Sequence, residues 1–162
     1  MQKYTIQELF EDTDKFNSIA GAYNDLSKES FDGQFKIIQE EFKEFSDGHE
    51  LNDLVEICDG LVDSYVTLFG YQRKLEEKYG IDFSSIMRKI AENNLSKFPN
   101  IEKSMQGVVI NTVRMYLDKD TPVKTEFNEE YEVFVIKDAR TGKVKKPIDF
   151  VPVDITKEVL GE

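Results

Sequence analysis

Six carboxylates carry the most specific chemistry in this sequence. Glu40, Glu41 and Glu44 fall within residues 35–45, and Glu56, Asp59 and Asp63 follow within residues 50–69. Positions i, i+3 and i+7 share one face of a helix, so Glu56, Asp59 and Asp63 form a single stripe if this segment is helical. Glu41 and Glu44 run with Ile37 along the edge of a Phe35/Ile38/Phe42/Phe45 stripe, so an antiparallel helix pair can turn the two sets toward each other. Carboxylates facing one another cannot all stay ionised without a cation among them. Hard oxygen donors with no Cys or His partner suit Mg²⁺ or Mn²⁺. The competing reading is a solvated acidic face, which is what Asp and Glu on a helix more commonly mark.

The elements that must position these groups follow from period. Phe35, Ile38, Phe42 and Phe45 recur at spacings of three and four, as do Leu51, Leu54, Val55, Cys58, Leu61, Val62, Tyr65 and Phe69. Two amphipathic helices are expected, joined by a tight turn at Ser46-Asp47-Gly48-His49. Gly60, Ser64 and Thr67 form a second arc, small enough to admit another helix closely. Cys58, the only cysteine, is expected as a packed thiol on the apolar face, and His49, the only histidine, as a solvated turn residue.

Glu40-Glu41-Phe42-Lys43-Glu44 followed by Glu56-Ile57-Cys58-Asp59 resembles the EExxE and ExxD signature of the all-α nucleoside triphosphate pyrophosphatases, the MazG-like superfamily. Asp63 resembles the second Asp of its phosphoribosyl-ATP-pyrophosphohydrolase-like branch. Asn94-Leu95-Ser96-Lys97 is similar to that branch's Asn-Met-Ser-Lys segment, and residues 150–155 to its terminal aromatic-x-Pro-x-Asp-aliphatic segment. The resemblance implies an antiparallel helix bundle that hydrolyses a nucleoside triphosphate, a (d)NTP, to the monophosphate and pyrophosphate. Glu41, Glu44, Glu56 and Asp59 would hold Mg²⁺ or Mn²⁺, and Glu40 or Asp63 would support the ligands or act as the water's base. It also implies base contacts on the first helix, where Asn17 lies, and a homodimer or homotetramer. Ile90-Ala91-Glu92-Asn93 departs from the branch, which carries His-Arg-Ser there, so a cation expected near the phosphates is missing. Two alternatives stay open: phosphoribosyl-ATP pyrophosphohydrolase, and a non-catalytic helical binding or assembly protein on the same scaffold.

Composition bounds the rest. The chain has 162 residues, 40% hydrophobic and 33% charged, which suits a single domain over 1–162, with a helical body to about 118 and a small β appendage from about 119. A net charge of −11 argues against nucleic-acid binding. Met1-Gln2-Lys3-Tyr4 leads into an amphipathic segment with neither a signal-peptide core nor a bilayer-spanning run, so no membrane partner and a cytoplasmic location are expected.

In chain order, Thr5-Ile6-Gln7-Glu8 reads as a capping box opening a helix to about Ile19. Residues 20–33 read as an ordered loop. The second long helix should stop at Gly80, a C-terminal glycine cap. Asp82 can cap a helix from Phe83 to about Asn93 that buries Ile86, Met87, Ile90 and Ala91. At its end Asn94 and Lys97 can clamp a phosphate, although a Lys there can equally complement the helix dipole. Helical spacing covers residues 104–117. Residues 123–127, 131–136 and 143–148 read as short strands, with 138–142 a hairpin turn. Lys145 and Lys146 on the last strand can neutralise a triphosphate or serve as edge charges against aggregation.

Overall fold

The computed structural model describes residues 3–161; Met1 and Gln2, on which part of the expectation about a signal peptide falls, lie outside them, as does Glu162. The chain is mainly helical, with one small antiparallel hairpin. It divides into two compact units, Met1–Phe83 and Ser84–Glu162. None of the described helices is long and apolar enough to cross a membrane.

The first unit holds α1 (Ile6–Ile19), α2 (Lys28–Leu51) and α3 (Leu54–Tyr79). The capping box forms as expected: Glu8 N–H donates to Thr5 Oγ1 at 3.2 Å, and Thr5 N–H donates to Glu8 Oε2 at 2.7 Å. Gly80, at φ 66°, ends α3 in the left-handed conformation. The loop expected through Gly33 is shorter, because Ser27 accepts from Ser30 N–H and starts α2 at Lys28.

The turn expected at residues 46–49 is also displaced. Those residues, His49 included, are helical. The connection is Asn52, left-handed at φ 55°, and Asp53, whose carboxylate accepts from Val55 N–H at 2.9 Å. Gly48 does not break α2 because it serves as a contact glycine. A Cβ there would lie 2.9 Å from Glu56 Cβ, so only glycine lets α3 pass this closely.

The same economy governs the whole α2–α3 contact. A Cβ on Gly60 would meet the Phe45 backbone nitrogen at 2.7 Å. Ser64 and Thr67 return their hydroxyls to their own helix, at Gly60 O and Asp63 O. Gln34 Nε2 then donates to Thr67 O, and Lys74 Nζ to Ser30 Oγ. The buried arc of α3 is therefore Gly60, Ser64, Thr67, Gly70 and Lys74.

The arc read from sequence as the core of α3 is largely outside it. Leu54 and Val55 are about three-quarters exposed, Leu61, Val62 and Tyr65 are exposed, and so is Cys58, expected as a packed thiol. On α2 only Ile38 of the predicted stripe is fully buried, while Phe35 and Phe42 are half exposed. Close packing through small residues wins here because it brings two backbones within dispersion and hydrogen-bonding range along several turns. α1 joins α3 through Phe10 stacked on Phe69 at 4.4 Å.

The second unit holds α4 (Phe83–Leu95) from Ser84 onward, α5 (Ile101–Met105), α6 (Val108–Leu117), β1 (Val123–Asn128), β2 (Val133–Asp138) and α7 (Thr156–Leu160). Of the stripe predicted on α4 only Ile86 is buried. The helix expected over 104–117 is split, because Gly107 at φ 84° separates α5 from α6. β1 and β2 pair from Val123↔Asp138 to Asn128↔Val133. Ile136 and Thr112 are fully buried beside them.

The third strand expected at 143–148 reduces to a bridge at Lys137↔Val144, with Asp138 N–H donating to Lys143 O and Lys145 N–H to Ile136 O. Beyond Lys145 the backbone turns to α6 instead. Lys146 O accepts from Tyr116, Pro147 has no N–H to give, and Ile148 N–H donates to Thr112 Oγ1.

If glycine sets the α2–α3 distance, Gly60→Ala should cost about 1–3 kcal/mol, the usual penalty for overpacking. Gly33→Ala, where a Cβ meets nothing within 4 Å, should be neutral or stabilising by up to about 1 kcal/mol. Urea unfolding of both variants reads the difference.

Candidate metal centre on the α2–α3 hairpin

The close contacts fix the register of α2 against α3. Gly48 stands level with Glu56, Phe45 with Gly60, and Gln34 with Thr67 and Gly70. Continuing that register places Glu41 level with Asp63. The electrostatics agree: the Glu41 carboxyl is pushed up, first by desolvation and then by the charges of Asp63, Glu44, Glu40 and Asp59. Glu41 and Asp63 are half-buried, while Glu40, Glu44 and Asp59 are exposed beside them. Glu56 lies nearer the helix turn, where its Cβ packs on Gly48.

None of these six carboxylates has an ion-pair partner among the described residues, although neighbouring acids such as Asp47 do, with Lys43. Among the described residues no three Asp, Glu, His or Cys side chains converge into a finished cage. The donor set itself, all oxygen and anionic, with neighbouring Lys43 held by Asp47, matches a hard divalent cation.

Asn17 approaches the same face of α3. Its Nδ2 lies 3.2 Å from where a Gly70 Cβ would stand, and Gly70 follows Asp63 by two turns, roughly 10 Å of helix rise. Asn17 also hydrogen-bonds the Tyr23 hydroxyl, which is pushed up to about 12 chiefly by burial. Tyr23 donates to Asp14 Oδ1 at 3.1 Å, and Arg73 donates to Asp14 at 3.0 Å and to Glu76. This Asp14–Tyr23–Arg73 cluster was not legible in the sequence as a whole. Only the Arg73–Glu76 spacing on α3 signalled part of it, because the other partners come from distant segments.

The remaining predicted residues belong to the second unit. Asn94 and Lys97 do come together, with Lys97 Nζ donating to Asn94 Oδ1 at 2.6 Å just past the end of α4. Lys145 is held at 2.8 Å by Asp138 and lies over the Tyr116 ring. Lys145, with N–H groups of Thr141 and Arg140, keeps the Asp138 carboxyl well below its ordinary range. Lys145 thus fastens the turn after β2. Lys146 lies over the Phe150 ring. No protein-family model, curated protein or solved structure matches the chain.

Burial and like charge both oppose ionisation of Glu41, so above its raised pKa the folded state bears a cost that disappears as pH falls through that range. Glu41→Gln should therefore raise the cation-free melting temperature at pH 7, and the gain should shrink toward acid pH. Thermal unfolding with and without Mn²⁺ checks this, with added Mn²⁺ stabilising the wild type more than the variant.

Proposed function

We propose that this chain is a divalent-cation-dependent nucleoside triphosphate pyrophosphohydrolase of the all-α, MazG-like bundle type, cleaving a (d)NTP to monophosphate and pyrophosphate. The observation that carries the reading is the cluster of unpaired carboxylates around Glu41, level with Asp63 across the α2–α3 hairpin. Glu41, Glu44, Glu56 and Asp59 are the residues assigned to hold Mg²⁺ or Mn²⁺. When bound, the cation supplies Lewis-acid polarisation of the phosphoanhydride and offsets its charge.

The chain's own groups do the rest. Asp63, half-buried and level with Glu41, takes the proton of the attacking water; the more exposed Glu40 orients its neighbours. Asn17 is the residue the resemblance assigns to the base or sugar, and Asn94 and Lys97 are those it assigns to phosphate. The exposed Leu54, Val55, Leu61, Val62 and Tyr65 support a homodimer or homotetramer, since a monomer rarely leaves so contiguous an apolar face in water. Phosphoribosyl-ATP pyrophosphohydrolase activity would use the same carboxylates.

A panel of canonical and modified nucleotides with Mg²⁺ or Mn²⁺, scored for pyrophosphate separately from phosphate, tests the reading. Turnover to monophosphate and pyrophosphate is expected, and no turnover of any nucleotide, phosphoribosyl-ATP included, replaces it with a binding or assembly role. Asp59→Asn and Glu44→Gln should each lose metal affinity and turnover together while the chain stays folded. Lys97→Ala should lower kcat/KM by roughly one to three orders of magnitude, as expected for a charge-assisted phosphate contact. Steady-state kinetics at limiting Mg²⁺ decides both.

A further inference from the structure

Among the described residues, the hairpin of the second unit has one edge that the chain uses and one that it does not. Phe134 N–H donates to Pro99 O, Asp138 N–H to Lys143 O, and Ile136 O accepts from Lys145 N–H. These groups all lead away from β1. Backbone groups alternate along a strand, so Val133, Val135 and Lys137 face β1, and their register partners Asn128, Glu126 and Lys124 face back. The N–H and C=O groups of Val123, Thr125 and Phe127 therefore line the outer edge of β1. No strand pairs with that edge among the described residues, and positions 124–127 are exposed.

An open edge is a template for a further strand, and its side chains decide which strand it admits. Lys124 and Glu126 lie on one face, with side chains 54% and 49% exposed; within the chain Lys124 pairs with Glu126 at 3.1 Å and Lys137 with Glu126 at 2.9 Å, so a second copy would share these charges rather than meet unpaired ones. In an antiparallel pairing of two β1 strands about a two-fold axis at Thr125, each Lys124 falls opposite the second copy's Glu126. Thr125 then meets its own counterpart, and Val123 meets Phe127 on the other face. The backbone parity agrees, since Val123, Thr125 and Phe127 are the residues whose groups face outward and would exchange hydrogen bonds. Lys124 and Glu126 occupy the closer, non-hydrogen-bonded positions, where opposite charges are stabilising and like charges are not. Moving the axis to Lys124 sets Lys against Lys, and moving it to Glu126 sets Glu against Glu. An in-register parallel pairing does both. The charge pattern thus admits one arrangement and opposes its nearest competitors.

We infer that the outer edge of β1 is a self-association surface, at which two copies of this chain join their hairpins into a continuous four-stranded antiparallel sheet centred on Thr125. This contact is separate from the α3 face invoked above and does not depend on the catalytic reading. Isologous pairing of this kind consumes both edges, so this contact by itself joins two copies and no more.

Thr125→Pro removes an outward N–H and no hydrogen bond within the hairpin, and an edge position tolerates proline. Sedimentation velocity at micromolar concentration should show the full-length wild type at twice the mass of Thr125→Pro, whether the smaller species is a monomer or a dimer joined through helices. Equal masses for two folded proteins, judged by circular dichroism, would overturn the inference. Should the proline variant not fold, Thr125→Cys in a Cys58→Ser background decides. The two-fold axis brings the Thr125 Cα atoms to about 5.5 Å, within disulfide range. Mild oxidation should then give a covalent dimer that Glu129→Cys in the same background does not, and absence of that dimer overturns the inference.

Discussion

The close passage of α3 over α2 is the constraint on which the candidate site depends. It is made by the absence of side chains: Gly48 under Glu56, and Gly60 under the Phe45 backbone. Two helices that touch through backbone cannot slide by a turn without driving a larger residue into the gap. The register is consequently fixed at both contacts, and the level of Glu41 against Asp63 follows from it. Had the apolar arc of α3 made the contact, Leu and Val side chains would have held the helices at the ordinary 8–10 Å separation. The acidic stripe would then have turned to a different side.

Local signals were legible in the sequence where one short segment decides them. The capping box at Thr5 and Glu8, the left-handed Gly80 and the β1 and β2 segments each depend on residues a few positions apart. What failed were inferences that needed a partner. Gly48 has the residue type of a turn, but its use is set by Glu56 across the hairpin. Residues 143–148 have strand composition, but their backbone groups are claimed by Tyr116 and Thr112 of α6. The carboxylate stripe could be read from spacing alone, whereas Tyr23 and Arg73 could not, because three separate segments supply that cluster.

Charge is distributed unevenly around this framework. The chain carries −11 net charge, yet Lys43, Arg73, Lys103 and Lys145 are each paired with an acid. Among the described residues the six carboxylates of the hairpin are left out of that pairing. Lys145 illustrates why a cation's position in sequence says little about its use. Asp138 holds it with help from two backbone N–H groups, so it organises a turn, while Lys97 donates to the neutral amide of Asn94.

Unpaired like charge has a thermodynamic consequence that ties stability to the proposed chemistry. A folded state that gathers carboxylates without a counter-ion is raised in free energy relative to the unfolded chain, where the same groups separate and hydrate. Anything that neutralises them in the folded state stabilises it by mass action, and a proton and a divalent cation compete for that role. Glu41, the most affected by its neighbours, must shed any proton it carries before it can serve as a ligand. A rise in pH thus favours cation binding and disfavours the cation-free fold through the same group. The same repulsion that makes the hairpin a poor place for stability makes it a good place for a cation and the polyphosphate that would follow it.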